Sequence, residues 1–288
     1  MESNALGIEC GLALSDGYRI PRMGFGTYEL GQRTTEAVLA AVESGFRLID
    51  CARLYANERE VGAAIASCGV PREELFVTSK VWNDRQIDGT VRESIESSLA
   101  DLGLDYFDLF LVHWPVRDCY RATWEVLLEA KRDGLVRSVG VSNFLPEHLT
   151  AIIGDGGEVP VVDQMEHHPF CRDARTRAFC AAAGIVYEAW SPLGSGALLG
   201  DARIGEIARR HGASNAQVVL AWELREGIVP LPRSTSRAHI ESNAAAIGLR
   251  LTDDEARVLD AMDQQRHVNE GVDPLHFNEI LNAVPSPR

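Results

Sequence analysis

An alternation runs through this chain and restricts its fold more than any other feature: short apolar runs rich in Val, Ile, Leu and Phe are separated by longer stretches with helical periodicity. A run that is apolar on successive residues offers water no polar face and must be covered on both sides. A parallel sheet with crossover helices does this repeatedly. Eight such runs are present, at 46–50, 75–79, 107–112, 136–141, 159–164, 185–190, 228–232 and 247–251. Helical stretches at 58–67, 91–102, 121–133, 146–153, 176–183 and 215–226 separate most of them, and 253–262 follows the last. Thr252 ahead of Asp253, Asp254 and Glu255 reads as an N-cap with an acidic first turn.

Eight strands with their helices predict an α/β chain folded as a (β/α)8 TIM barrel, which takes roughly 250 residues, so residues 1–288 are expected to form one domain. Residues 13–20, around Asp16-Gly17, read as a β-hairpin closing the barrel floor. An open doubly wound sheet is the rival architecture. Its Gly-x-Gly-x-x-Gly loop is missing: Gly24-Phe25-Gly26 precedes the predicted sheet, and the glycines from Gly194 to Gly200 are wrongly spaced and follow a late strand.

Bulk properties exclude other classes. A formal net charge of -14 opposes binding to a phosphate backbone, so no nucleic-acid partner is expected. No apolar run is long enough to span a bilayer and no basic-then-apolar leader opens the chain, which predicts no membrane partner and a cytoplasmic protein. The six cysteines form no C-x-x-C pair and read as reduced thiols, with no metal site expected. His167 and His168 are adjacent, point to opposite faces of a strand and are read as structural.

In a barrel, polar residues that close apolar runs face the catalytic end. Asp50 closes the first run, Lys80 the second and His113 the third, with Tyr55 in the loop after Asp50. This set suits carbonyl reduction, in which hydride reaches carbon and a proton must reach the developing alkoxide. A tyrosine is a weak acid, with pKa about 10. A nearby ammonium favours the phenolate and a carboxylate anchors the ammonium, giving Tyr55 as acid, Lys80 as tuner and Asp50 as anchor. His113, as a neutral donor, would orient the substrate oxygen.

From about Ala13 to Phe277 the chain resembles the aldo-keto reductases, in particular the bacterial-type members. Gly45-Phe46-Arg47-Leu48-Ile49-Asp50, followed by Ala52, Tyr55, Asn57, Glu58 and Gly62, is similar to the family's first signature. Gly140-Val141-Ser142-Asn143-Phe144 and Trp190-Ser191-Pro192-Leu193-Gly194 are similar to two later ones. The resemblance implies an Asp, Tyr, Lys and His tetrad at Asp50, Tyr55, Lys80 and His113, and an extended nicotinamide cofactor across the barrel mouth. It implies that Ser142, Asn143 and Gln164 hydrogen-bond the carboxamide, that Trp190 stacks on the ring, and that Ser191, Leu193 and Ser195 line the pyrophosphate. Gly26, Thr27, Asp50, Thr235, His239 and Asn243, with Arg233 and Ser234 of the phosphate segment, complete the implied cofactor set. Without the Ser-Pro-Leu-Gly that follows it, Trp190 would read as core.

The phosphate segment departs from the family pattern, which usually has Lys before Ser and Arg where His239 stands. Arg233 and Ser234, with Arg237, still offer charge-assisted contacts to the 2′-phosphate of NADP. NADPH is therefore expected to be the better cofactor, with appreciable use of NADH. Asp163 and Cys51 also depart, standing where relatives have Asn and Thr or Ser. Tyr28, Trp82 and Trp114 resemble the family's aromatic substrate positions and, with Tyr55 and His113, would receive a small-molecule carbonyl: a small aldehyde, an α-dicarbonyl or a keto sugar. Rival readings are a nicotinamide-binding redox sensor similar to the channel β-subunits, a metal-dependent barrel hydrolase, and the same chemistry run as an alcohol dehydrogenase. A monomer is the default expectation.

Overall fold

The computed structural model describes residues 4–154, 156–268 and 274. Strands β1 (Leu12–Ala13) and β2 (Arg19–Ile20) pair antiparallel as the predicted hairpin. Eight parallel strands follow: β3 (Gly24–Gly26), β4 (Leu48–Asp50), β5 (Phe76–Val81), β6 (Phe107–Val112), β7 (Val136–Ser142), β8 (Val162–Glu166), β9 (Val186–Trp190) and β10 (Val229–Pro230). Each pairs with its sequence neighbour, and the Gly26 N–H donates to the Pro232 carbonyl at 3.0 Å, joining the first strand to the last. The sheet thus closes into the expected (β/α)8 barrel.

Alternation along β6 shows how the core divides. Phe110 and Val112 pack into the large cluster shared with the helices, whereas Leu109 and Leu111 join a separate cluster inside the strands. Leu14 and Ile20 of the hairpin belong to that inner cluster, with Leu48, Phe76 and Leu231. The hairpin therefore fills the floor, and polar chemistry is left to the opposite mouth.

Seven of the eight predicted runs lie on strands, with ends shifted by up to three residues. The run at 247–251 does not: a 3-10 turn, Ala246–Gly248, occupies its first half, and no ladder partner exists there among the described residues. The remaining strand is Gly24–Gly26, ahead of all the predicted ones. It is squeezed between its neighbours, since a Cβ on Gly24 would lie 2.5 Å from Leu48 Cγ and 2.6 Å from Leu231 Cδ2. Glycine is required by that closeness, and glycine removes the apolar signal. The helix Thr34–Glu43, absent from the predicted set, is the crossover from β3 to β4. Helices Asn83–Ile87, Ala202–His211 and Arg237–Ala245 were likewise not predicted. Phe277, the far end of the family resemblance, lies outside the described residues.

Gly62 lies where helix Glu58–Ser67 crosses helix Val91–Leu102, and a Cβ there would stand 2.4 Å from the Leu102 carbonyl oxygen. Backbone cannot swing aside as a side-chain tip can. Alanine gains about 0.5–1 kcal/mol of helix propensity, but overpacking costs about 1–3 kcal/mol or more. Gly62→Ala is expected to lower the unfolding free energy by about 1 kcal/mol in urea titration, the mid-range difference between that cost and that gain. An unchanged or raised midpoint would show that the two helices part without cost.

Candidate active site

Successive strands deliver their polar residues to one end of the barrel. Asp50 closes β4, Lys80 is the penultimate residue of β5, His113 directly follows β6, Gln164 lies in β8 and Glu188 in β9. Tyr55 ends a 3-10 turn, Arg53–Tyr55, after which Ala56 takes a left-handed φ of 52° that turns the chain into the next helix.

Lys80 is fully buried. Its Nζ donates to Asp50 Oδ1 and Oδ2 at 2.8 and 2.7 Å, to the Cys51 carbonyl at 3.0 Å and to the Tyr55 hydroxyl at 3.3 Å. Burial disfavours the ammonium, but the charges of Asp50 and Tyr55 and the hydrogen bonds to Asp50 outweigh it and hold the group above its ordinary value. Tyr55 behaves differently from the sequence expectation. Lys80 does favour its phenolate, yet desolvation is larger and Asp50 adds to it, so the phenol is pushed up to about 12. The net effect keeps its proton on.

His113 is buried, with its ring 6.0 Å from that of Tyr55 and 5.0 Å from that of Trp82. Burial, then the Lys80 charge, push the imidazole well below its usual range, so it is neutral near pH 7. Its Nδ1 is buried without a partner among the described residues. Tyr28 is 45% exposed and lies 5.0 Å from the Tyr55 ring, forming the outer wall.

Next to these groups lies a second network. Gln164 Nε2 donates to Asp50 Oδ1 at 2.9 Å and to Glu188 Oε2 at 3.0 Å. Both amide hydrogens are thereby used, and only the amide oxygen remains to offer elsewhere. Glu188, pushed up to about 8 by burial and then by Asp50, is largely protonated at neutral pH. It was not among the predicted site residues. The available signal was a carboxylate in the middle of a run that must be buried on both faces.

Ser142 donates to the Gln164 carbonyl at 2.8 Å. Asn143, at a left-handed φ of 63°, donates to the His113 carbonyl at 3.0 Å and accepts the Trp190 indole N–H at 2.9 Å. Trp114, Asn143 and Trp190 line a cavity of about 730 Å³ that continues past Glu166. Thr27 donates to the Asp50 carbonyl at 3.0 Å, and Gly26 ends β3 beside it. Ser191, Leu193 and the exposed Ser195 follow β9.

The phosphate segment lies further out. Arg233 is ion-paired with Glu29 at 3.0 Å and lies 5.9 Å from the Tyr28 ring, near the mouth. Arg237 pairs with Glu43 at 2.6 Å, so that cation is already engaged on the surface. Ser234 and Thr235 precede the helix Arg237–Ala245, which carries the exposed His239 and the buried Asn243 and has no side-chain cap among the described residues.

The two residues that depart from the family pattern have local partners. Cys51 Sγ donates to the Thr78 carbonyl at 2.9 Å, and the buried Asp163 accepts the Phe144 N–H at 3.5 Å. The two adjacent histidines do face opposite ways. His167 stacks on Trp222 and meets Glu223, while His168 meets Glu166. No helix among the described residues is long and apolar enough to cross a membrane.

The family model described as "Aldo/keto reductase family" matches residues 22–264. The glyoxal reductase of Bacillus subtilis is 41% identical over 92% of this chain and 96% of its own. The 9,11-endoperoxide prostaglandin H2 reductase of Trypanosoma cruzi is 40% identical over 92% and 95%. Among solved structures, a Bombyx mori aldo-keto reductase in complex with NADP superposes with a TM-score of 0.84 at 32% identity, over 90% of this chain and 94% of that one. The chain belongs to the aldo-keto reductase family, NAD(P)H-dependent oxidoreductases for which carbonyl reduction is the general reaction.

Proposed function

We propose that this protein reduces a small carbonyl compound, with Tyr55 as the proton donor. The observation that carries the reading is the Lys80 ammonium, which touches both the Asp50 carboxylate and the Tyr55 hydroxyl. A nicotinamide fits the mouth on this chain's own donor set. Trp190 offers a partly exposed indole face at the cavity, and Gln164, its amide hydrogens spent on two carboxyls, offers an acceptor to a carboxamide. When bound, the reduced nicotinamide supplies hydride to the carbonyl carbon. Asn143 and Gln164 would orient the carboxamide, and Ser191, Leu193 and Ser195 would follow the pyrophosphate.

The protein's own part is to hold a proton ready and guide it. His113, neutral and buried, donates to the substrate oxygen, and Tyr55 gives that oxygen its hydroxyl proton as negative charge develops. Lys80 stabilises the phenolate left behind, and Asp50 keeps Lys80 charged and in place. Tyr55→Phe is expected to cut kcat by about 100- to 10,000-fold with NADPH affinity unchanged. Wild-type protein that binds NADPH but turns over no carbonyl would favour the redox-sensor reading instead.

The pH dependence has a definite sign. A phenol at about 12 is protonated through the neutral range, so carbonyl reduction should show no basic limb from Tyr55 below about pH 10. Alcohol oxidation needs the phenolate and should rise steadily with pH over the same interval. Its rate reaching a plateau near pH 7 would contradict Tyr55 as the group involved.

NADPH is the proposed preferred cofactor, with NADH also used. Arg233 and Ser234 would take the 2′-phosphate, the phosphate displacing Glu29 from Arg233, while Arg237 stays with Glu43 and contributes little. A charge-assisted hydrogen bond contributes about 1.5–3 kcal/mol, so Arg233→Ala should lower kcat/KM for NADPH by about 10- to 100-fold and leave NADH nearly unaffected. Equal losses for both cofactors would remove Arg233 from the phosphate site.

Tyr28, Trp82 and Trp114 wall the substrate side, which suits small, flat carbonyls. With the Bacillus subtilis relative named a glyoxal reductase, an α-dicarbonyl is the first substrate class to assay.

A further inference from the structure

Three potential metal ligands of different chemistry meet beside the cavity and have no part in the proposed carbonyl chemistry. Glu166 closes β8, Cys171 lies in the following loop, and His267 lies beyond the helix Asp253–Asp260. Their ligand atoms all fall within 4.8 Å of one another. Cys171 Sγ stands 3.4 Å from His267 Nδ1, and that same nitrogen stands 3.0 Å from Glu166 Oε2.

One imidazole nitrogen carries either one hydrogen or one lone pair. Here it faces a thiol and a carboxylate together, so a hydrogen bond to one leaves a poorer contact with the other. A cation at the centre engages all three. Zinc binds sulfur at about 2.3 Å and imidazole nitrogen or carboxylate oxygen at about 2.0–2.2 Å. Tetrahedral angles then put sulfur and nitrogen about 3.6 Å apart and nitrogen and oxygen about 3.4 Å apart. Those two observed spacings, 3.4 and 3.0 Å, are a few tenths of an ångström shorter, and the sulfur and carboxylate oxygen lie within 4.8 Å of each other.

The surroundings fit as well. Glu166 Oε1 is held by His168 Nε2 at 3.1 Å and by the Val268 N–H, which fixes the carboxylate so that Oε2 faces the cluster. Outer partners of this kind orient metal ligands. Glu166, Cys171 and His267 all line the cavity, which leaves room for water or another ligand at a fourth position.

We propose that Glu166, Cys171 and His267 form a three-ligand site for a thiophilic divalent cation of the zinc type. Binding forms metal bonds to sulfur, nitrogen and oxygen, and both the Cys171 thiol proton and the His267 Nδ1 proton that faces Glu166 leave to solvent. The ion ties the segment after the helix Asp253–Asp260 to the end of β8, whose Glu166 pairs in register with Trp190. The site stands independently of the proposed carbonyl chemistry.

The test is cobalt titration of the full chain, purified metal-free and reduced, followed by competition with zinc. A 1:1 sulfur-to-cobalt charge-transfer band in the near ultraviolet, displaced by zinc, is expected in wild type and in a Cys68→Ser control. Cys171→Ser should lose the band. His267→Gln should weaken zinc binding by more than about 100-fold, because loss even of an outer partner costs about 10- to 100-fold. His267 is half-exposed, so this variant keeps the test sound if Cys171→Ser fails to fold. Absence of the band in wild type, its persistence in Cys171→Ser, or undiminished affinity in His267→Gln overturns the site.

Discussion

A lysine ammonium with no solvent exposure sits inside a barrel whose interior is otherwise mostly apolar, and the site around it depends on that charge being satisfied. Taking an ion out of water costs several kcal/mol even after relaxation. The cost is offset because three groups, the Asp50 carboxylate, the Cys51 carbonyl and the Tyr55 hydroxyl, accept from Nζ. Register makes this possible. Asp50 pairs with Thr78, and Lys80 is two residues further along the same strand, hence on the same face. A slip of one residue would turn Lys80 into the helix layer and leave Asp50 unpaired inside the barrel. The ion pair and the strand register therefore specify each other, and the position of Tyr55 follows from both.

That dependence explains why much of the architecture was legible in the sequence and why one strand was not. Strands β4 to β10 are buried on both faces, so apolar side chains mark them, and the polar residues at their ends mark the mouth. β3 has the same surroundings, but its neighbours stand so close that two of its three residues are glycine. Residues 247–251 carry the composition of a strand without its role: Leu249 and Leu251 pack against the helices around Trp222, and apolar content alone does not tell a ladder from a packing segment.

Within the candidate site, the meeting of residues was legible but energies and partnerships were not. Asp50, Lys80, His113 and Tyr55 come together as strand ends in a barrel should. The state of Tyr55 was misjudged, because a charge partner can be inferred from spacing whereas desolvation depends on what packs around the ring. Arg237 looked available for phosphate until its helix placed it against Glu43. Glu188 was hidden within an apolar run. Cys171 and His267 are separated by 96 positions, and no local spacing rule joins them.

Burial of Tyr55 appears adverse if the useful form is taken to be the phenolate, but the direction of proton flow reverses that judgement. In the proposed reduction, the group receiving the proton is a developing alkoxide, whose conjugate acid is about as weak as water and far weaker than a phenol. A phenol at about 12 is still the stronger acid by several powers of ten, so transfer runs downhill once the alkoxide forms. The unreacted carbonyl oxygen is far too weak a base to take that proton. On the proposed mechanism, desolvation would hold the proton on Tyr55 until the reduced carbonyl becomes its acceptor. Lys80, charged and 3.3 Å from the hydroxyl, would then stabilise the phenolate as it forms. The two influences oppose each other on the pKa of the resting Tyr55, and in the proposed reduction they would act in sequence.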